Sequence, residues 1–153
     1  METLERVLEQ HAFFHDLEPE YVKLLMRCAS NVRFDAGAYL FREGQEANHF
    51  YLIREGRVAL EVSAAPLPPI LIATFDGGEV FGWSWLIAPY RWHCDARAVQ
   101  VTRAIALDGK CLRAKCDENP ALGYKLLKRV THVMEQRLNE TQKQLLDVYA
   151  AHR

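Results

Sequence analysis

Residues 34–58 carry the pattern that decides the fold, and they read FDAGAYLFREGQEANHFYLIREGRV. Two short runs in this stretch, Tyr39–Phe41 and Phe50–Ile53, are rich in aromatic and branched aliphatic residues. Turn-forming glycines follow each of them, at Gly44 and Gly56. Strands this short, separated by glycines, indicate an antiparallel sandwich or barrel.

The same strand-like texture extends outward over residues 32–107. Further runs of this kind are Arg57–Val62, Ile70–Phe75 and Val99–Leu107. The segment Ser63–Pro69 (SAAPLPP) contains three prolines, which donate no hydrogen bond to a strand ladder, so we expect it to form a hairpin loop. Residues 32–107 are therefore predicted to form a β-roll.

Helical patterns flank this region on both sides. Apolar residues recur at helical spacing in residues 1–31, and Pro19 divides that segment into two short helices. Residues 108–153 are also predicted to be helical. Asp108 is a candidate N-cap, and the pair Asn119-Pro120 marks a second helix start because proline suits the first helical turn.

The last helix is predicted to be long, since neither glycine nor proline occurs from Tyr124 to Arg153. About 30 residues would span roughly 45 Å, more than one small domain can cover. Its apolar stripe comprises Leu127, Val130, Met134, Leu138, Thr141, Leu145 and Val148. This stripe favours a homodimer through residues 120–150, and an amphipathic helix packed on its own core is the alternative. The polar stretch Glu135–Gln144 suits a helix that passes over a wet cavity.

Composition excludes several classes of protein. The 153 residues allow one domain, and a net charge of −1 supplies no basic field for nucleic acid. The chain has no signal-peptide pattern and no apolar run of the roughly 20 residues that span a membrane. Four scattered cysteines (Cys28, Cys94, Cys111 and Cys116) are expected to be free thiols in a reducing cytoplasm. We find no catalytic or metal-binding pattern, so we expect no enzyme activity.

Three segments resemble the cyclic-nucleotide-binding domain of bacterial catabolite-activator and anaerobic-regulator transcription factors. They are residues 34–44, 50–58 and 78–82 (GEVFG), and the resemblance extends over roughly residues 10–148. It implies a single domain, residues 1–153, with a jelly-roll-like β-roll (a double-stranded β-helix) and a long dimerisation helix. The chain ends where the family's DNA-binding domain would begin, so we expect a stand-alone module without direct DNA contact.

The resemblance breaks at the segment that would hold the ligand. In the family, a glutamate directly after the glycine holds the ribose, and an arginine nine residues further on neutralises the cyclic phosphate. Gly82 is present here, but Trp83 and Trp92 occupy these two positions. Thr141 matches the threonine that contacts adenine in the family, and Gln142 replaces the following serine. Binding of cyclic AMP in the usual way is therefore not expected.

A shift of one residue would allow Arg91 to replace the missing arginine. Alternation along residues 93–98 places Cys94 on the apolar side of a strand. If this strand extends backwards, Trp92 also points inward and Arg91 points outward. A bulge after Pro89 would reverse this, so the side chain of Arg91 could face either way.

Three interpretations of this segment remain open. The pocket could accept a non-standard, flat or partly apolar small ligand. The tryptophans could instead fill it, leaving a ligand-free scaffold that binds a partner protein, or weak cyclic-nucleotide binding could persist. No cofactor is predicted. In each case we expect a non-enzymatic regulatory module that signals through its long helix. The candidate ligand-binding residues are Gly82, Trp83, Ser84, Arg91, Trp92, His93, Thr141 and Gln142.

Overall fold

The computed structural model describes residues 3–152 as a mostly antiparallel β structure flanked by helices. Residues 1, 2 and 153, which the predicted ranges include, lie outside the described residues. The helices are α1 (Leu4–Gln10), α2 (Pro19–Met26), α3 (Gly109–Glu118) and α4 (Pro120–Ala151), with short 3₁₀ turns at Ala12–Phe14 and Trp83–Trp85. The strands are β1 (Ala29–Phe34), β2 (Tyr39–Phe41), β3 (His49–Glu55), β4 (Arg57–Ala64), β5 (Leu67–Asp76), β6 (Val80–Phe81), β7 (Asp95–Ala98) and β8 (Thr102–Asp108).

The strands form two four-stranded sheets, with the orders β1-β8-β3-β6 and β2-β7-β4-β5. All of the strand pairs are antiparallel. Except for the β4–β5 hairpin, strands that are neighbours in the chain alternate between the two sheets, as in a jelly roll. This arrangement confirms the predicted β-roll with short N-terminal helices and a long C-terminal helix.

Strand β3 separates two hydrophobic cores. Tyr51 and Ile53 point into the interior of the roll, whereas Phe50 and Leu52 point towards the helices. Successive side chains of a strand lie on opposite faces, so a strand covered on both sides is apolar throughout. We call the first cluster the roll core and the second the helical core.

The turn after β3 depends on the absence of a side chain. Gly56 has φ +115°, and a Cβ atom there would lie 2.5 Å from Oγ1 of Thr102. The sequence prediction of a tight glycine turn at this position is confirmed. The close approach also lets the Arg57 N–H donate to Thr102 Oγ1 at 3.3 Å.

Strand boundaries differ from the prediction in three places. β1 begins at Ala29, before residue 32, because Ala29 pairs with Leu107. β8 begins at Thr102, and Val99 lies in the preceding turn. The segment Ser63–Pro69 is not simply a loop: its last residues belong to β5, which pairs only with β4. An edge strand has a free side on which the missing proline N–H costs nothing.

The expectation of four free thiols is wrong. Cys28 and Cys111 form a disulfide with 5.5 Å between their Cα atoms, and only Cys94 and Cys116 are free. Eighty-three residues separate the two partners, and β1 and α3 bring them together. The prediction of a reducing compartment rested on four free thiols, so the disulfide removes that support.

Cap residues set the ends of the C-terminal helices as predicted. The Asp108 carboxylate accepts the N–H of Cys111 at 2.8 Å, and the Asn119 side chain accepts the N–H of Leu122 at 3.2 Å. Helix α4 then continues for 32 residues. Its first half buries Leu122 and Leu126, whereas every residue from Leu138 to His152 is exposed. None of the helices in residues 3–152 has the length and apolar character of a membrane span.

A buried histidine makes the helical end of the fold sensitive to acid. The His11 side chain is 8% exposed, and its Nδ1 accepts the N–H of Phe13 at 3.2 Å. Burial lowers the pKa of His11, and the backbone of Ile53 offsets this only in part. Because the folded state favours the neutral ring, the contribution of His11 to the free energy of unfolding is fully present above the unfolded pKa of about 6.5. This contribution is lost as the pH falls below that value.

We predict that His11→Asn reduces the loss of stability between pH 7.5 and pH 5.5. Asparagine keeps an acceptor for the Phe13 N–H but does not titrate. The variant should therefore lack the acid-induced loss of stability that protonation of His11 causes, which is at most about 1.4 kcal/mol per pH unit. Urea unfolding at the two pH values measures this effect. His15→Asn, at an exposed position, is the control, and an equal effect of both substitutions would contradict the assignment.

Candidate functional site

The candidate ligand segment starts where β6 ends. Gly82 has φ +88° and leads into the 3₁₀ turn Trp83–Trp85. A Cβ atom on Gly82 would lie 3.0 Å from Cη2 of Trp92. Both the backbone conformation and the close indole therefore require glycine at this position.

Trp92 lies inside the roll core. Its side chain is 5% exposed, and its ring stacks on Phe41 with centroids 3.7 Å apart and an angle of 8° between the planes. Phe41 lies 6.2 Å from Phe81 and 6.3 Å from Tyr51. An apolar stack thus occupies the position at which the family pattern has its phosphate-binding arginine.

The other two tryptophans point towards the helices. Trp85 is 1% exposed in the helical core, with its ring centroid 5.7 Å from that of Phe50. Arg113 donates to the carbonyl oxygen of Trp85 at 2.6 Å, which fixes the turn against α3. Trp83 is half-buried against the same core, and Ser84 is half-buried beside it. Sequence reasoning did not select Trp85.

Arg91 and His93 lie on the outside of the roll. The Arg91 guanidinium donates to the carbonyl oxygen of Gly44 at 2.9 Å and is exposed, as is the His93 side chain. Cys94 packs against the roll core, on the same side as Trp92. The alternation of buried and exposed side chains therefore continues back from β7 to Arg91, although β7 itself begins only at Asp95, and the Arg91 guanidinium does not face the interior of the roll.

A buried carboxylate, which sequence reasoning missed, holds the neighbouring loop. Asp95 is 7% exposed, accepts the N–H of Glu43 at 2.7 Å and lies 3.3 Å from Nε of Arg42. Alternation had placed Asp95 on the solvent side. Its partner Glu43 is 52 residues away in the chain, so no local sequence pattern predicts this contact.

The thiol beside this carboxylate is unsuited to act as a nucleophile. Burial, together with the charges of Asp95 and Glu43, raises the pKa of Cys94 to about 11. Only a thiolate is a strong nucleophile or metal ligand. Within residues 3–152, no group of three or more His, Cys, Asp or Glu side chains is placed to hold a metal ion.

Thr141 and Gln142 lie in the exposed half of α4. The Thr141 hydroxyl donates to the carbonyl oxygen of Arg137, one turn earlier, at 2.8 Å. Neither side chain is buried against the candidate ligand segment. A role for these two residues in ligand binding stays a prediction.

A cavity of about 640 Å³ lies elsewhere, between α4, the 3₁₀ turn Ala12–Phe14 and the β5–β6 turn. We call it the α4 cavity. None of the eight predicted ligand residues lines it. Its wall consists of Ala12, Phe13, Gly78, Glu79, Val80, Lys125, Lys128, Arg129, His132, Val133, Gln136, Arg137 and Glu140.

Arg137 ties α4 to the roll at the edge of this cavity. Its guanidinium forms ion pairs with Glu79 and Glu140, and its central carbon lies 3.9 Å from the ring centroid of Phe75. The side chain is only 18% exposed, so these charge interactions are partly shielded from water. Sequence analysis had not selected Arg137 or Glu79.

Comparison with known proteins gives a consistent result. A model of the cyclic nucleotide-binding domain matches residues 31–119. A "CRP-like cAMP-activated global transcriptional regulator" of Mycobacterium tuberculosis is 24% identical over 145 residues, which are 95% of this chain. The chain spans about 63% of the length of that regulator.

Solved structures share the same fold. A protein from Geobacter metallireducens GS-15, named as a cyclic nucleotide-binding protein, is 29% identical with a TM-score of 0.81, covering 90% of this chain and 99% of the other. The sensor domain of the transcriptional regulator DNR from Pseudomonas aeruginosa is 23% identical with a TM-score of 0.71, and the coverage is 89% and 91%.

The contact between Gly82 and Trp92 can be tested with two alanine substitutions. Gly82→Ala should destabilise the fold more than Gly37→Ala, although the two glycines have nearly the same φ, +88° and +89°. A Cβ atom on Gly37 meets nothing within 4 Å, so Gly37→Ala carries only the backbone cost of about 1–2 kcal/mol. Gly82→Ala should cost about 1–3 kcal/mol more, because Trp92 must shift. Equal free energies of unfolding for the two variants would show that Trp92 is not closely packed there.

Proposed function

Because this chain belongs to the cyclic nucleotide-binding domain family, we propose that it is a non-catalytic regulatory module that no longer binds a cyclic nucleotide at the family's site. One observation carries this proposal: Trp92, at the position of the family's arginine, is buried in the roll core and stacked on Phe41. Of the three interpretations of this segment, the geometry favours the one in which the tryptophans fill the pocket.

Electrostatics supports the same conclusion. A cyclic phosphate is a permanent anion, and a charge-assisted hydrogen bond to it contributes about 1.5–3 kcal/mol, or one to two decades of affinity. Neither Trp83 nor Trp92 carries a charge, and the guanidinium of Arg91 is outside the roll on Gly44. The indole of Trp92 also takes up space against Gly82.

We further propose that the module is a homodimer through α4. Leu127, Leu138, Leu145 and Val148 recur at spacings typical of a helix seam and are 48–57% exposed in the single chain. Together they present an apolar stripe, and three of them, Leu138, Leu145 and Val148, lie in the part of α4 in which every residue up to His152 is exposed. A second copy of the same helix has the matching stripe, so pairing would remove both from water.

A partner protein is the proposed reader of this dimer. The net charge of −1 supplies no field that would attract DNA, and the relative that matches 95% of this chain is a regulatory protein.

Nucleotide binding can be measured with the protein's own tryptophans. All three of them, Trp83, Trp85 and Trp92, lie at the candidate segment, so a ligand bound there should change the indole emission. We predict no saturable change in fluorescence, and no heat in calorimetry, with cyclic AMP or cyclic GMP up to 1 mM. Saturation at micromolar concentration by either method would overturn the proposal.

The dimer seam can be tested with one substitution on the stripe and one off the stripe. Leu138→Glu should weaken the dimer at least about a hundredfold, because a symmetric pair loses two apolar contacts of at least 1.5 kcal/mol each. Asn139→Glu introduces the same charge away from the stripe and should leave the dimer unchanged. Sedimentation equilibrium measures both constants. A monomeric wild-type protein at 100 µM would refute the dimer.

A further inference from the structure

We propose that the α4 cavity is a binding site for an organic anion with an apolar body, that is, a carboxylate or phosphate attached to a hydrocarbon group. This site is separate from the segment that contains Trp92, and the inference does not depend on whether a nucleotide binds there. The charge of the wall, its apolar floor and its position on α4 all support it.

The wall of the cavity has a positive excess. It contains four permanent cations, Lys125, Lys128, Arg129 and Arg137, against two carboxylates, Glu79 and Glu140. Both carboxylates are already used, since each forms an ion pair with Arg137. The cavity therefore retains positive charge that its own acids do not neutralise.

Lys128 is the cation best placed to meet a ligand. Lys125 is paired with Glu18, and Arg129 donates to the carbonyl oxygen of Phe13 at 2.6 Å. Within residues 3–152, Lys128 forms no ion pair, and its ammonium lies 5.0 Å from the ring centroid of Tyr124. An anionic group that enters the cavity can bind Lys128 without breaking an existing ion pair.

His132 lies one helical turn after Lys128, so its imidazole adds a hydrogen-bonding group on the same face. An ammonium and an imidazole one turn apart suit a carboxylate or phosphate, whose oxygens accept from both.

The rest of the wall is apolar and comes from three parts of the chain. Phe13 belongs to the 3₁₀ turn, Val80 to β6 and Val133 to α4. Small-molecule sites have this composition, a largely hydrophobic lining with a few placed polar groups, and volumes of about 300–1,000 Å³. At about 640 Å³, the α4 cavity lies within this range. A ligand there would contact the N-terminal segment, the roll and α4 together.

Pairing of α4 with a second copy would leave the cavity open. At about 100° per residue, the centre of the face formed by Lys128, His132 and Gln136 lies roughly 130° around the helix from Leu138 and Leu145. The proposed dimer seam and the cavity therefore use different faces of α4. A bound anion could stabilise α4 against the roll without competing with the partner helix.

The probes are four ten-carbon compounds that differ only in the head group: decanoate, decyl phosphate, decanol and decylamine. We expect decanoate, decyl phosphate or both to bind the full chain at micromolar concentration in isothermal titration calorimetry, at least about tenfold more tightly than decanol and decylamine. Binding of only one anion identifies the preferred head group. No binding of either anion below 1 mM, or equal binding of decanol or decylamine, would overturn the proposal.

Two substitutions locate the site. Lys128→Glu reverses the available charge and should weaken anion binding at least about tenfold, as expected when a charge-assisted contact is removed. Lys143→Glu makes the same change in the exposed C-terminal part of α4, outside the cavity, and should have no effect on anion binding. Gln136→Phe, at an exposed wall position, should reduce binding by filling the space. Equal affinities for wild type, Lys128→Glu and Gln136→Phe, each folded with an unchanged melting temperature, would contradict the assignment.

The same experiment separates this site from the segment with the tryptophans. Trp83, Trp85 and Trp92 do not line the α4 cavity, so a ligand bound there should leave the indole emission largely unchanged. A decyl compound that perturbs the tryptophans and is unaffected by Lys128→Glu would place binding at the family's site, which would refute the α4 cavity as the site and the interpretation that the tryptophans fill the family's pocket. Cyclic-nucleotide binding that is unaffected by Lys128→Glu would refute only the proposed loss of nucleotide binding.

Discussion

The stack of Trp92 on Phe41 determines what the interior of this β-roll can do. Two parallel rings 3.7 Å apart, next to a glycine that leaves them room, are an apolar packing solution. Truncating such a tryptophan to alanine typically costs about 3–5 kcal/mol. A guanidinium in the same surroundings would lose its hydration without gaining a partner, so this packing is incompatible with the arginine that the family pattern has here.

As a consequence, apolar and charged side chains are found on different sides of the roll. The interior is apolar, with Asp95 at its rim holding Glu43 and Arg42. Charged groups instead gather where α4 crosses the roll, around Arg137 and Glu79. Helix α4 thus has three functions on three faces: it buries Leu122 and Leu126 in the helical core, lines a cavity, and exposes an apolar stripe.

Much of the architecture could be predicted because its signals are local. A glycine such as Gly56, a cap such as Asp108 and a proline such as Pro120 each act on neighbouring residues, and the structure confirms all three. The misses depend on distant partners. The Cys28–Cys111 disulfide joins residues 83 apart. Pro69 fits in β5 only because that strand has a free edge, which a sequence pattern does not reveal.

For the ligand segment, the residue pattern alone determined that the family's two charged contacts are absent, but it left open whether Trp92 or Arg91 faces the interior. Folding alone decided that the indole stacks on Phe41 and that Arg91 bonds to Gly44. It also created the α4 cavity from segments that are distant in the chain. Periodicity reports which side of a strand or helix is apolar. Whether that side meets a void, a ring or another chain depends on contacts between distant elements, which exist only after they pack.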